Sequence, residues 1–353
     1  MTAVAPAANE IRLTTLHATR GANFWSTRPV TRMDVAVGAY DEISSADTPG
    51  VTERLVAALP GITEHQCSIG EPGGFVIRLR RGTYAPHIVE HVALELQTMI
   101  GHDVGFGRTR GGDVEGEYTI VFEHLHEQVG LRAAALALET VQRAFDGTLE
   151  PSHVTAGVRE LAALAGTPDA PAIAQRVLAG VTGGAGRAEC IAYLQEALGA
   201  DHDEHLLIDV APSFILYAGL PYARSRLAII LDTAIADVPP RYREPDRARR
   251  LLSTVIDAVP RQGFIVCPAG EPELQEEIRE ASCRVAVFST DDRVGDEALE
   301  IATAFGRIRD GAIWVEHCDD AECVRQLRPD RPASAQVAAA LAAYVLRTET
   351  ATR

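Results

Sequence analysis

Gly82-Thr-Tyr-Ala-Pro86-His87-Ile-Val-Glu90-His91-Val-Ala-Leu-Glu95-Leu-Gln97 reads as a helix and the approach to it. Proline suits the first turn of a helix, where its missing N–H costs nothing, so the run predicts a helix from His87 to about Ile100. Positions i and i+4 lie one turn apart on one face, and His87 and His91 can therefore offer two imidazoles to one metal ion. Glu90 overlooks the same spot. The order HxxEH is the inverse of the HExxH metalloprotease pattern, and both let a carboxylate take a proton from metal-bound water. A catalytic zinc needs a third protein ligand. Glu95 lies one turn beyond His91 and leans back toward it, while Glu123 ends a strand; the residues leave the choice between them open. A bare HxxEH also fits a polar stripe or a hydrogen-bonded cluster, so the surrounding chain has to decide.

Around the helix, alternation predicts strands at Arg12–Leu16, Arg32–Tyr40, Phe75–Leu79 and Glu117–Glu123. Helices are expected over Thr52–Leu59 and Leu131–Phe145. Together these form an α+β domain over residues 1–150, followed by a linker over 151–171, in a stretch with prolines and small polar residues around a short helical segment. Residues 172–353 change pattern. Apolar strands at 176–181, 206–210, 227–231, 263–267, 284–289 and 312–316 are separated by helices at 187–198, 246–259, 271–281, 296–305 and 334–348. Near-continuous apolar strands between helices predict a doubly wound α/β domain with a parallel sheet covered on both faces.

A chain of 353 residues with 46% hydrophobic content can bury two cores. The formal net charge of −16 argues against nucleic acid as the main partner and suits a cationic or arginine-bearing one. The start of the chain lacks a basic-then-apolar signal pattern, and no run is long and apolar enough to span a membrane, so a cytoplasmic protein is expected. Cys67, Cys190, Cys267, Cys283, Cys318 and Cys323 form no CxxC pair and are read as reduced thiols.

Several ordered segments carry a resemblance: Arg20-Gly-Ala-Asn-Phe-Trp25-Ser26, Pro49-Gly50, Glu64-His65-Gln-Cys67-Ser68, Gly73-Gly-Phe75, Gly82-Thr-Tyr84, the HxxEH helix through Gln97, Val104-Gly-Phe-Gly-Arg108-Thr-Arg110, and Tyr118-Thr-Ile-Val-Phe-Glu123. In this order they resemble the N-terminal domain of cyanophycin synthetases, a family that polymerises aspartate and arginine. The resemblance implies a metal-dependent hydrolytic site with His87 and His91 as ligands and Glu90 as base. It also implies that Arg108 and Arg110 hold substrate carboxylates, since guanidinium pairs well with them; a structural salt bridge is the other reading. Ile77 and Arg81 stand where the family has glutamates; His65 and Cys67 could line the site, with packing the preferred reading.

The second domain is more distantly similar to the Mur-ligase-like part of the same synthetases. Where that family has a GTNGKT-type phosphate loop, this chain has Gly180-Val-Thr-Gly-Gly-Ala-Gly186-Arg187-Ala188, lacking both the lysine and the hydroxyl. The ATP-grasp domain of the family has no counterpart between the two regions. The leading expectation is thus a zinc-type hydrolase cleaving cyanophycin or a related Asp/Arg isopeptide, with no ATP and assembly into a homo-oligomer. The alternative is a non-catalytic polymer-binding or accessory subunit of a cyanophycin synthetase, and a ligase with altered nucleotide chemistry ranks last. Calorimetry with ATP and Mg²⁺ is expected to give no tight binding; micromolar affinity would overturn this reading of the phosphate loop.

Overall fold

A computed structural model describes residues 10–166, 177–199, 206–292, 296–317 and 320–351. The chain divides into two compact units, one of residues 1–20 and 28–171, the other of 21–27 and 172–353.

In the first unit, β1 (Arg12–Ala18), β2 (Val30–Ala36), β3 (Gly107–Gly111) and β4 (Glu117–Glu123) form an antiparallel sheet in the order β1-β2-β4-β3. Met33, Ile120 and Thr109 stand side by side across it, and Met33 and Ile120 face the core. That face is covered by α3 (Ala85–Thr98) and α4 (Glu127–Asp146), with α1 (Val51–Ala58) and α2 (Gly74–Arg81) beside them. Pro86 sits in the first turn of α3 as its missing N–H predicts. Tyr40, Leu55, Phe75, Leu79, Ile88, Leu96 and Phe122 are fully buried in one cluster.

Two expectations for this unit are corrected. Phe75–Leu79 is not a strand but lies within α2; its buried residues, Phe75, Val76 and Leu79, follow a helical spacing, and Gly73 in the left-handed region turns the chain into it. The segment 151–165 is not a linker but a helix, α5 (Pro151–Ala165). Glu150 and His153 form a reciprocal capping box around Pro151, and Val154, Gly157 and Leu161 bury against the rest of the unit, with Leu136 packed over Gly157. The remainder of the expected linker, 167–171, lies outside the described residues.

The second unit is the expected α/β layer structure. Its sheet runs β12-β11-β10-β9-β8-β7-β5-β6, built from β5 (Val177–Thr182), β6 (Leu206–Asp209), β7 (Ser225–Ile230), β8 (Phe264–Pro268), β9 (Arg284–Phe288), β10 (Ala304–Arg309), β11 (Ala312–His317) and β12 (Asp320–Gln326). From β6 to β10 every pairing is parallel, whereas β10, β11 and β12 pair antiparallel. Alternate residues of β7 serve opposite faces. Leu227 and Ile229 join a core with α6 (Arg187–Leu198) and α11 (Ala333–Ala351), while Ala228 and Ile230 join one with α7 (Pro212–Ala218) and α8 (Pro245–Ser253).

Between β9 and β10, α10 (Asp296–Ile301) is shorter than the predicted helix, because Ala304 already pairs with Ala286 of β9. The strand β12 was not anticipated either. Gly21–Thr27 belongs with this second unit, where the backbone of Leu220 bonds Ala22 and Phe24 and Trp25 meet Tyr242 edge-on. Arg176, the predicted start of the first strand, and Cys318 lie outside the described residues. Among the described residues no helix is long and apolar enough to cross a membrane.

Burial makes α5 a structural member of the first unit. Leu161→Ala should destabilise that unit by about 2–5 kcal/mol, the usual cost of emptying a leucine site. Urea denaturation followed by circular dichroism measures it, and a loss below about 0.5 kcal/mol would return α5 to the role of a linker.

Candidate functional site

Of the 14 residues of α3, nearly all are buried, and these include Glu90, His91, Glu95 and Gln97. Buried polar groups need partners, and those partners define the site. Glu90 accepts a hydrogen bond from the Thr109 hydroxyl at 2.6 Å. His91 Nδ1 lies 2.9 Å from His65 Nδ1, and His65 Nε2 lies 3.1 Å from the Glu95 carboxylate, which also accepts from the Thr98 hydroxyl at 3.1 Å. With the rings neutral, His65 donates to Glu95 and accepts from His91 Nδ1, which leaves His91 Nε2 as a free lone pair. His87 Nδ1 meets the Thr83 hydroxyl at 2.8 Å, and its Nε2 faces Cys67 Sγ at 3.5 Å.

Phe75 of α2 holds the imidazoles in place. Its ring stacks on His91 with centroids 3.7 Å apart and meets His87 edge-on at 5.6 Å. A Cβ on Gly74 would collide with the carbonyl oxygen of Gln66, so only glycine lets α2 approach the loop that carries His65 and Cys67. Cys67 itself has a φ of 53°, an uncommon conformation for a residue with a side chain. Burial pushes His87 down to about 4 and His91 to about 2, so both are neutral near pH 7 and able to donate lone pairs. Burial raises Glu90 to about 7, against the Thr109 hydrogen bond and the nearby Arg108.

The ligating atoms of Cys67, His87 and His91 lie within 4.8 Å of one another. Of the two candidates for a third ligand, Glu95 is next to this set but turned to His65 and Thr98. Glu123 is elsewhere: its carboxylate accepts from the backbone N–H groups of Gly105 and Phe106, both at 3.3 Å, and pairs with Arg28. His65 and Cys67, for which packing was the preferred reading, both line the site. The signal for them was the Glu64-His65-Gln-Cys67-Ser68 segment already singled out; Thr83 and Thr109 had none of their own. Arg108 and Arg110 are exposed on β3, and with Tyr84, Glu64 and the groups above they line a cleft of about 1210 Å³.

In the second unit, the loop after β5 sits where the strand order reverses, the usual place for a phosphate in such sheets. Here the chain's own side chains occupy it. Arg187 donates to the carbonyls of Gly183 and Gly184 and to Asp209 at 2.6 Å, while the Gly184 N–H, a group of the kind that cradles phosphate, donates to the Asp232 carboxylate at 2.7 Å. Asp232 also accepts from Ala234 N–H.

Cyanophycin synthetases of Synechocystis sp. and Trichormus variabilis are 45% and 44% identical to this chain over 131 and 140 residues, and one of Geminocystis herdmanii is 45% identical over 121. These matches cover 36%, 38% and 34% of this chain but only 15%, 15% and 14% of those proteins. Solved structures with a similar fold include a murein peptide ligase from Psychrobacter arcticus, 14% identical with a TM-score of 0.34 over 50% of this chain and 44% of that one. Another is the UDP-N-acetylmuramate:L-alanyl-gamma-D-glutamyl-meso-diaminopimelate ligase from Neisseria meningitides, 16% identical with a TM-score of 0.36 over 54% and 70%. At such scores they add nothing to what the strand order already establishes.

The expected isopeptide hydrolase is corrected by these relatives, which are named for synthesis and not for hydrolysis; nothing in the comparisons indicates a hydrolase. What holds of this chain is its first unit: residues 32–146 match the cyanophycin synthase-like N-terminal domain.

Proposed function

We propose that this chain is a non-catalytic accessory subunit of a cyanophycin synthetase, which holds the Asp/Arg polymer in the cleft of its first unit. One observation carries the reading. The domain shared with synthetases keeps a built cleft, whereas the phosphate loop of the second unit is filled by Arg187 and Asp232. A nucleotide phosphate would have to displace a guanidinium from two carbonyls and a carboxylate from a backbone amide, both charge-assisted contacts. In this reading the subunit uses no ATP. Arg108 and Arg110 are the substrate-holding cations of the cleft, and no nucleic acid or membrane is required.

The donor set of the cleft fits a divalent transition metal such as Zn²⁺, because it joins a thiol to two imidazoles kept neutral by burial. Cys67, His87 and His91 would hold it, with Glu95 orienting His65 and through it His91. When bound there, a metal would supply a fixed positive charge to the cleft. Glu90, bonded to Thr109, keeps its place on the cleft wall.

Two measurements test this reading. The purified protein should sediment with insoluble cyanophycin, and Arg108→Ala with Arg110→Ala should weaken that retention by about tenfold or more, since paired charge-assisted contacts are lost. Absence of any retention by the unaltered protein would sink the proposal. Metal analysis should find about one equivalent per chain, and His87→Ala with His91→Ala should empty the site; unchanged metal content in that double variant would remove these ligands.

A further inference from the structure

Among the described residues the strand β3 is an edge of its sheet and pairs only with β4. Glu123 N–H donates to Phe106 carbonyl and Gly112 N–H to Glu117 carbonyl, so the register places the hydrogen-bonding groups of Arg108 and Arg110 toward β4. By the same alternation, the N–H and C=O groups of Gly107, Thr109 and Gly111 point away from the sheet, along an open edge. Glycines bracket Thr109, and the space beside Gly111 is open within 4 Å. The Thr109 side chain is turned to Glu90, which puts Arg108 and Arg110 together on the other face of the strand. They are exposed, about 7 Å apart by strand geometry, and among the described residues neither side chain makes a hydrogen bond or ion pair, although the charge of Arg108 is felt by Glu90.

The geometry points to strand addition: an extended polypeptide carrying carboxylates on alternate residues docks antiparallel along β3. Its backbone bonds Gly107, Thr109 and Gly111, and its carboxylates sit opposite Arg108 and Arg110. This deepens the polymer-binding reading and rests on it, since an Asp/Arg isopeptide polymer has an amide backbone whose side groups each end in a free arginine α-carboxylate. The residues opposite one another in a sheet point to the same face, so carboxylates two residues apart meet both guanidiniums at once. The bond direction follows from the sheet, in which every pairing is antiparallel.

The mode makes an asymmetric demand on the ligand. In an antiparallel partner, the residues between the acidic ones turn their N–H groups to β3, while the acidic residues turn theirs away. The probe is a short capped peptide in which Thr and Asp alternate, titrated calorimetrically into the full-length protein. Methylating the amide nitrogens of the Thr residues should weaken binding by about tenfold or more, whereas methylating those of the Asp residues should leave it within about twofold. Arg108→Ala with Arg110→Ala should lose the binding as well.

Several results would overturn strand addition. One is no binding of the unmethylated peptide, as expected if the arginines serve only to keep an edge soluble. The others are equal binding of both methylated peptides, or loss confined to the Asp-methylated one. Cyanophycin retention together with indifference to methylation overturns strand addition and leaves polymer binding standing. Peptide binding with the expected methylation pattern, in a protein that ignores cyanophycin, sinks polymer binding instead.

Discussion

A buried helix that carries four polar side chains is the constraint on which the first unit depends. Glu90, His91, Glu95 and Gln97 are all withdrawn from water on α3, and each would cost on the order of 1–3 kcal/mol if left without a partner. Their partners come from different parts of the chain. Thr109 of β3 serves Glu90, His65 of the preceding loop serves His91 and Glu95, and the carbonyl of Glu123 on β4 accepts from Gln97 at 2.9 Å. Satisfying the helix thus ties the edge of the sheet and the loop of Cys67 to one element. The cleft lies among these ties.

The second unit answers a different demand with the same chemistry. A glycine-rich loop at a switch point exposes backbone amides that favour an anion, and in this chain the anion is Asp232. Arg187 completes the neutralisation by bridging two carbonyls to Asp209. The α/β scaffold needs no nucleotide to satisfy its loop.

Much of this was legible in the residues. The i, i+4 spacing of the HxxEH run behind Pro86 marks a helix, and the apolar runs of β7, β8 and β9 follow directly from burial on both faces. What escaped did so for physical reasons. Gly107-Arg-Thr-Arg-Gly111 has no apolar side chain because it is an exposed edge, so hydrophobic alternation could not reveal β3. Phe75–Leu79 is too short a run for period alone to separate strand from helix. The hairpin strands β10 and β12 carry Arg307, Arg309 and Arg325 among few buried residues, which hides their alternation. At the site, two imidazoles could be placed by spacing on one helix. The thiol came from a distant loop held by Gly74 and Phe75, and no spacing within α3 could select Cys67 over Glu95 or Glu123.

In the proposed function the cleft holds the polymer while its covalent chain stays untouched. The direct measurement incubates the purified protein with cyanophycin of defined length, with and without ATP, Mg²⁺, aspartate and arginine, and reads both the bound fraction and the polymer length by gel electrophoresis. Bound polymer of unchanged length is expected under every condition. Lengthening with ATP, or shortening without it, would contradict it.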